Sequence, residues 1–99
     1  MINPVETCFL CNPDVGVREE DPDEGALLFN PDTNRIQVIN TTGLFIWKQC
    51  IEARTLDEII SEVQKGFEDA PVEQVAQDVR QFIDKMVASG FIGIVEKAG

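Results

Sequence analysis

The sequence predicts an α+β domain, in which a three-stranded antiparallel sheet is followed by three helices. Three observations carry this reading. Apolar residues alternate in short runs as far as Asn40, turn-forming residues divide the last two of those runs, and helical spacing takes over from Thr41.

Residues 1–13 mix Pro4 and Pro13 with Cys8, Phe9, Leu10 and Cys11 and follow neither period. They are expected to form an irregular arm ahead of a single domain over residues 14–99. Val15 and Val17 alternate with Gly16 and Arg18, which predicts a weak first strand that stops at the acidic run over residues 19–24. Residues 25–30 and 35–40 predict two stronger strands. Between them, Pro31 fixes its φ angle, while Asp32 and Asn34 bond their own backbone and tolerate left-handed geometry. A hairpin follows, and short connections favour a three-stranded meander.

Behind an Asn40 or Thr41 cap, Leu44, Phe45, Trp47 and Cys50 or Ile51 recur at helical spacing and predict a first helix over residues 41–52. Thr55 and Glu58 have the spacing of a capping box, which announces a second helix with Leu56, Ile59, Ile60, Val63 and Phe67 on its buried face and Gly66 near its end. Pro71 and Glu73 open a third helix, and Gly90 caps it. Its apolar residues, Val72, Val75, Ala76, Val79, Phe82, Ile83, Met86 and Val87, cover a face broader than one core stripe requires, so part of that face is available to a partner. The tail from Phe91 to Glu96 is β-prone; either it closes the core or it adds a strand. The resulting plan is winged-helix-turn-helix-like.

Composition narrows the function. Ninety-nine residues suffice for one core, and no run approaches the ~20 apolar residues of a membrane helix. A net charge of −10, from eighteen acidic and eight basic residues, opposes binding to nucleic acid or to anionic membranes. With no histidine the chain cannot supply a Ser-His-Asp or Cys-His pair, which leaves carboxylate chemistry as the open route, and no enzyme activity is expected. Residues 1–10 lack the basic start and apolar run of a secretory signal, and three cysteines make no closed disulfide set; a cytoplasmic location is the expectation.

Several stretches together resemble the PqqD family, the peptide-recognition elements of ribosomal peptide modification pathways. They are Gly25 to Thr33, Val38 to Gly43, Ile46-Trp47, Arg54 to Ile59, Asp78-Val79 with Phe82, and Gly90 to Ile92. No single piece is specific, but their order and spacing are, and they extend over about three quarters of the chain. Cys50 to Ala53 departs from the Asp-Gly that many relatives carry before Arg-Thr, and the Cys8–Cys11 arm lies outside the pattern.

The resemblance implies a non-catalytic peptide chaperone without a cofactor of its own. It would bind the leader of a precursor peptide by strand addition and present it to a modifying enzyme, often a radical SAM protein. By that resemblance the leader lies along Arg35, Ile36, Gln37, Val38 and Ile39 and against Val72, Val75, Val79, Arg80 and Phe82. An edge strand with unpaired backbone groups suits this chemistry, and the same exposed edge permits strand-swapped homodimers. A structural or regulatory winged-helix interaction module, with no peptide substrate, is the alternative reading.

Other features have plainer readings. Trp47 falls in the helical stripe of Phe45, Leu44 and Ile51 and is expected in the core rather than at an interface. The acidic run over residues 19–24 lacks the alternating ligands and glycine of a calcium loop and is expected to be a solvated turn. Cys8 and Cys11 have C-x-x-C spacing, yet a closed zinc site needs four ligands, and Cys50 alone does not complete it. Ordinary thiols are the leading expectation, with redox pairing or an intermolecular metal site behind it.

Overall fold

The computed structural model describes residues 5–19 and 24–98. In chain order the elements are β1 (Val5–Cys11), β2 (Gly16–Glu19), β3 (Ala26–Asn30), β4 (Arg35–Ile39), α1 (Thr41–Gln49), β5 (Arg54–Thr55), α2 (Leu56–Gly66), α3 (Val72–Ala88) and β6 (Ile92–Ala98). Two three-stranded antiparallel sheets result, ordered β2-β3-β4 and β5-β1-β6. The first is the predicted meander. Its turn has the predicted chemistry: Asn30 Oδ1 accepts the Asp32 N–H at 2.9 Å, and Asn34 is left-handed at φ 57°.

Each helix starts where its cap residue dictates. Asn40 Oδ1 accepts the Gly43 N–H at 2.8 Å and opens α1. Thr55 and Glu58 close a reciprocal capping box at α2, and Pro71 precedes the first turn of α3. The core lies between the inner face of the first sheet and the helices. Leu28 and Ile39 meet Ile46 and Trp47 of α1, Ile59 and Val63 of α2, and Val79, Ile83 and Met86 of α3, with Phe91 and Ile92 sealing one end. Trp47 is therefore a core residue.

Two expectations are corrected, and the alternative left open for the tail is resolved. The arm is not irregular: from Val5 onward it forms β1, paired with β6 on one side and with β5 on the other. A strand with neighbours on both sides and apolar side chains on both faces carries no period-two signature, which is why the pattern concealed it. The tail does both of the things left open for it, since Phe91 and Ile92 enter the core while residues 92–98 pair with β1. Lastly, α1 stops at Gln49 rather than reaching residue 52: Cys50 leaves helical geometry at φ −96°, ψ 6°, and its carbonyl accepts the Cys11 N–H at 2.8 Å. Residues 1–4 of the arm and residues 20–23 of the acidic run lie outside the described residues.

Candidate functional site

The site is built on β4. Its register against β3 runs from Ala26↔Ile39 to Asn30↔Arg35, and its other side pairs with nothing among the described residues. The closing tail occupies the second sheet, so the border of β4 stays open. One carbonyl on this strand, that of Val38, accepts the Gln37 side-chain amide at 3.2 Å at an exposed position. It is thus accessible to a competing donor from solvent.

Alternation divides the strand into two faces. Ile39 is buried in the core, whereas Ile36 and Val38 are 62% and 69% exposed and stand on the outer face beside Phe29 and Leu27 of β3. Two adjacent large aliphatics left in water on an edge strand are an unmet opportunity for burial.

Beside β4, α3 forms the other wall. A hollow of about 150 Å³ is lined by Val38, Ile39, Asn40, Phe82, Lys85 and Met86. It continues into one of about 350 Å³ over the start of α1, which adds Thr42, Gly43, Asp78 and Gln81. Gly43 makes this groove deep. A Cβ there would lie 2.9 Å from the Phe82 ring and 3.2 Å from the Ile39 Cβ, so only glycine lets the ring sit this close to α1. Among the described residues no carboxylate pairs with Lys85, whose charge faces the groove mouth.

Sequence reasoning located this groove only in part. Arg35, Ile36, Gln37, Val38 and Ile39 form the open edge together, and Phe82 lies against it. Val79 is wholly buried and Val75 nearly so; both serve the core. Val72 is exposed at the far end of α3, about 15 Å of helix from Phe82. Arg80 points about 160° away from Phe82 around the helix, on the opposite side from the groove. What the reading missed is the C-terminal half of the wall, Lys85 and Met86, and the floor at Asn40, Thr42 and Gly43. The signal was present in the i, i+3, i+4 spacing of Phe82, Lys85 and Met86.

The thiols do not make a second site. Cys8 and Cys11 are three apart on an extended strand, hence on opposite faces and about 10 Å apart along it, so the C-x-x-C spacing cannot chelate. Burial pushes the Cys11 thiol up to about 12, with Cys50 adding to the effect, and burial does the same to Cys50. Among the described residues no group of three potential metal ligands converges, and no helix is long and apolar enough to cross a membrane.

Comparison with known proteins fits this geometry. A solved structure, TbiB1 in complex with the TbiA(beta) leader peptide, matches with a TM-score of 0.71 over 84% of this chain and 93% of that one, at 17% identity, which is a likeness of fold. A curated protein of Rhizobium meliloti (strain 1021), described as a PqqA binding protein, is 34% identical over 83 residues, covering 82% of each chain. The model of the family described as coenzyme PQQ synthesis protein D matches residues 25–92, from the start of β3 to the start of β6. By this match and that identity, the chain belongs to the PqqD family.

Proposed function

We propose that this chain binds the leader segment of a ribosomally made precursor peptide as an added strand on β4 and presents it to a modifying enzyme of the radical SAM type. The observation that carries the reading is the free border of β4 with Ile36 and Val38 exposed on it. The family, the peptide named in the curated relative's description and the leader peptide named in the solved complex all support it.

Magnitudes decide where the affinity comes from. Four or five backbone bonds at a net ~0.5–1.5 kcal/mol each barely offset an association cost of ~4–15 kcal/mol. Burying a few hundred Å² of apolar surface at ~25 cal/mol per Å² adds several kcal/mol and brings binding to about micromolar or better. Ile36, Val38 and Phe82 are placed to provide that surface.

The chain acts without catalysis in this reading, since it lacks histidine and both Cys11 and Cys50 hold their protons well above neutral pH. A cytoplasmic setting suits its free thiols. Without a guest, two copies can pair edge to edge as a homodimer. DNA is a poor alternative, because α3 exposes Glu73, Asp78 and Asp84 against Arg80 and Lys85.

The test is a titration of ¹⁵N-labelled protein with synthetic precursor leader peptides, followed by amide shifts. Shifts are expected from Arg35 to Ile39 and along α3 near Phe82. Val38→Pro, which removes a ladder donor, should abolish them while helical circular dichroism persists. Shifts confined to other surfaces would overturn the proposal.

A further inference from the structure

The groove beside β4 does not end over α1. The larger hollow shares Thr42, Ile46 and Asp78 with a third, more enclosed cavity of about 90 Å³ between the three helices. Its walls are Ile46, Val63, Phe67, Ala70 and Val75. The wall is braced in advance: Gln64 Nε2 donates to the carbonyls of Phe67 and Ala70 at 3.3 and 3.1 Å and holds the connector between α2 and α3 in place. At ~30 Å³ per water the cavity has room for about three waters, which is close to the bulk of one branched aliphatic side chain and too little for an aromatic ring.

Charge is distributed unevenly along this trough. Lys85 stands at the β4 end, and Asp78 stands at the mouth of the third cavity. On the segments that supply its walls, Glu68 and Asp69, between Phe67 and Ala70 in sequence, and Glu73 on the first turn of α3 are all exposed. No Lys or Arg occurs from residue 66 to residue 79. An apolar hole with Asp78 in its wall, formed largely by this stretch that carries carboxylates and no cation, selects an aliphatic group flanked by positive charge.

We propose that this third cavity is a second anchor for the bound peptide, taking one Val, Leu or Ile side chain from a stretch that also carries Lys or Arg. The proposal rests on strand addition at β4 and specifies what the guest must contain beyond the added strand. Val75 and Lys85 are ten residues apart on α3, about 15 Å. An extended chain covers that in about four or five residues at ~3.3 Å each. The anchor therefore lies four or five residues outside the strand-forming part of the guest.

The experiment pans a displayed library of random sixteen-residue peptides against the full chain and measures the enriched peptides by fluorescence anisotropy, whole and trimmed of the anchor stretch. Enriched peptides are expected to pair a strand-forming stretch with an aliphatic residue beside Lys or Arg at the stated spacing, and trimming is expected to cost at least tenfold in affinity. Ala70→Phe, which fills the cavity, should weaken the whole peptide about tenfold and leave the trimmed one unchanged. Asp78→Lys, at an exposed position shared by both hollows, should weaken the whole peptide more than the trimmed one and flatten the salt dependence.

If trimming costs nothing, or Ala70→Phe and Asp78→Lys both leave the whole peptide unaffected, the anchor is overturned. Val38→Pro separates the two readings. Where it abolishes whole and trimmed binding alike while trimming has no effect, only the anchor falls. Where it changes neither, or where no peptide is enriched, strand addition falls and the anchor with it.

Discussion

The side-chain amide of Asn30 donates to the carbonyl of Gly90 at 2.9 Å across sixty residues of sequence. Asn30 is 1% exposed, the one buried polar side chain among the described residues, and its oxygen is also used, by the Asp32 N–H. It fixes the start of the hairpin loop that leads into β4 to the turn where α3 ends, and so sets the two walls of the groove relative to each other. Asn30→Ala is expected to cost about 1–3 kcal/mol, since it removes the two part-buried hydrogen bonds made by a buried side chain. Thermal unfolding should show a fall of roughly 4–8 °C per kcal/mol for a domain of this size. A change of less than a degree would show that the bond contributes nothing.

Gly90 is the other half of that relationship. Its φ is +81°, and an added Cβ would stand 3.3 Å from the Asn30 amide nitrogen. Gly90→Ala is expected to destabilise by about 1–2 kcal/mol through left-handed strain. Because the same substitution crowds Asn30, the double variant Asn30→Ala, Gly90→Ala should lose less than the sum of the two single losses. Additive losses in urea denaturation would separate the two effects.

Gly43 tests the groove rather than the fold. Alanine in a helix is favoured over glycine by about 0.5–1 kcal/mol, but the new methyl would sit 2.9 Å from the Phe82 ring. Overpacking of this kind costs about 1–3 kcal/mol unless the ring moves, and Phe82 is only half-buried, so it can swing toward the groove. The expected outcome is a nearly unchanged unfolding midpoint with guest affinity reduced several-fold. An unchanged affinity would show that Phe82 does not shape the binding surface.

These residues also show why the sequence disclosed the fold more fully than the site. Local chemistry wrote the elements directly: Thr55 and Glu58 name the start of α2, and the Asn-Pro-Asp-Thr-Asn turn names the hairpin. Strand β1 escaped because its partners, β5 and β6, lie about 45 and 90 residues away, and its run of apolar side chains from Cys8 to Cys11, on both faces, erases alternation. The site depends on how far along α3 the strand β4 crosses it. That crossing is a packing outcome set by contacts such as Gly43 against Phe82, and helical periodicity alone does not distinguish residues 72–82 from residues 82–86.

The outer face of β4 separates affinity from folding. Ile36→Thr and Val38→Thr keep β-branched side chains at exposed positions, so stability should change by no more than about 0.5 kcal/mol. Each removes apolar surface that an added strand would cover, and the pair should weaken peptide binding by about tenfold or more at ~25 cal/mol per Å². Calorimetric titration checks this. Unchanged affinity would confine the guest's apolar contacts to the side facing α3.

Cys50 supplies a prediction in alkali whose sign follows from burial. Its thiol is raised from an ordinary 9.0 to about 12 by desolvation, with Arg54 opposing the shift weakly, and Cys11 is raised likewise. Below pH 9 the thiols are protonated in folded and unfolded chains alike, and their contribution to stability is fully present. Between pH 9 and about 12 the unfolded chain releases these protons while the folded chain keeps them, so stability falls as pH rises, by up to about 1.4 kcal/mol per pH unit for Cys50. Cys50→Ala is the necessary comparison. The variant should lose less stability than the wild type between pH 9 and 10.5 in urea titrations. In the native protein at pH 8, iodoacetamide should leave Cys50 unmodified until urea exposes it, because the neutral thiol is a poor nucleophile and the side chain is fully buried. Rapid labelling of the folded chain, or identical pH slopes for the two proteins, would contradict the buried, protonated state.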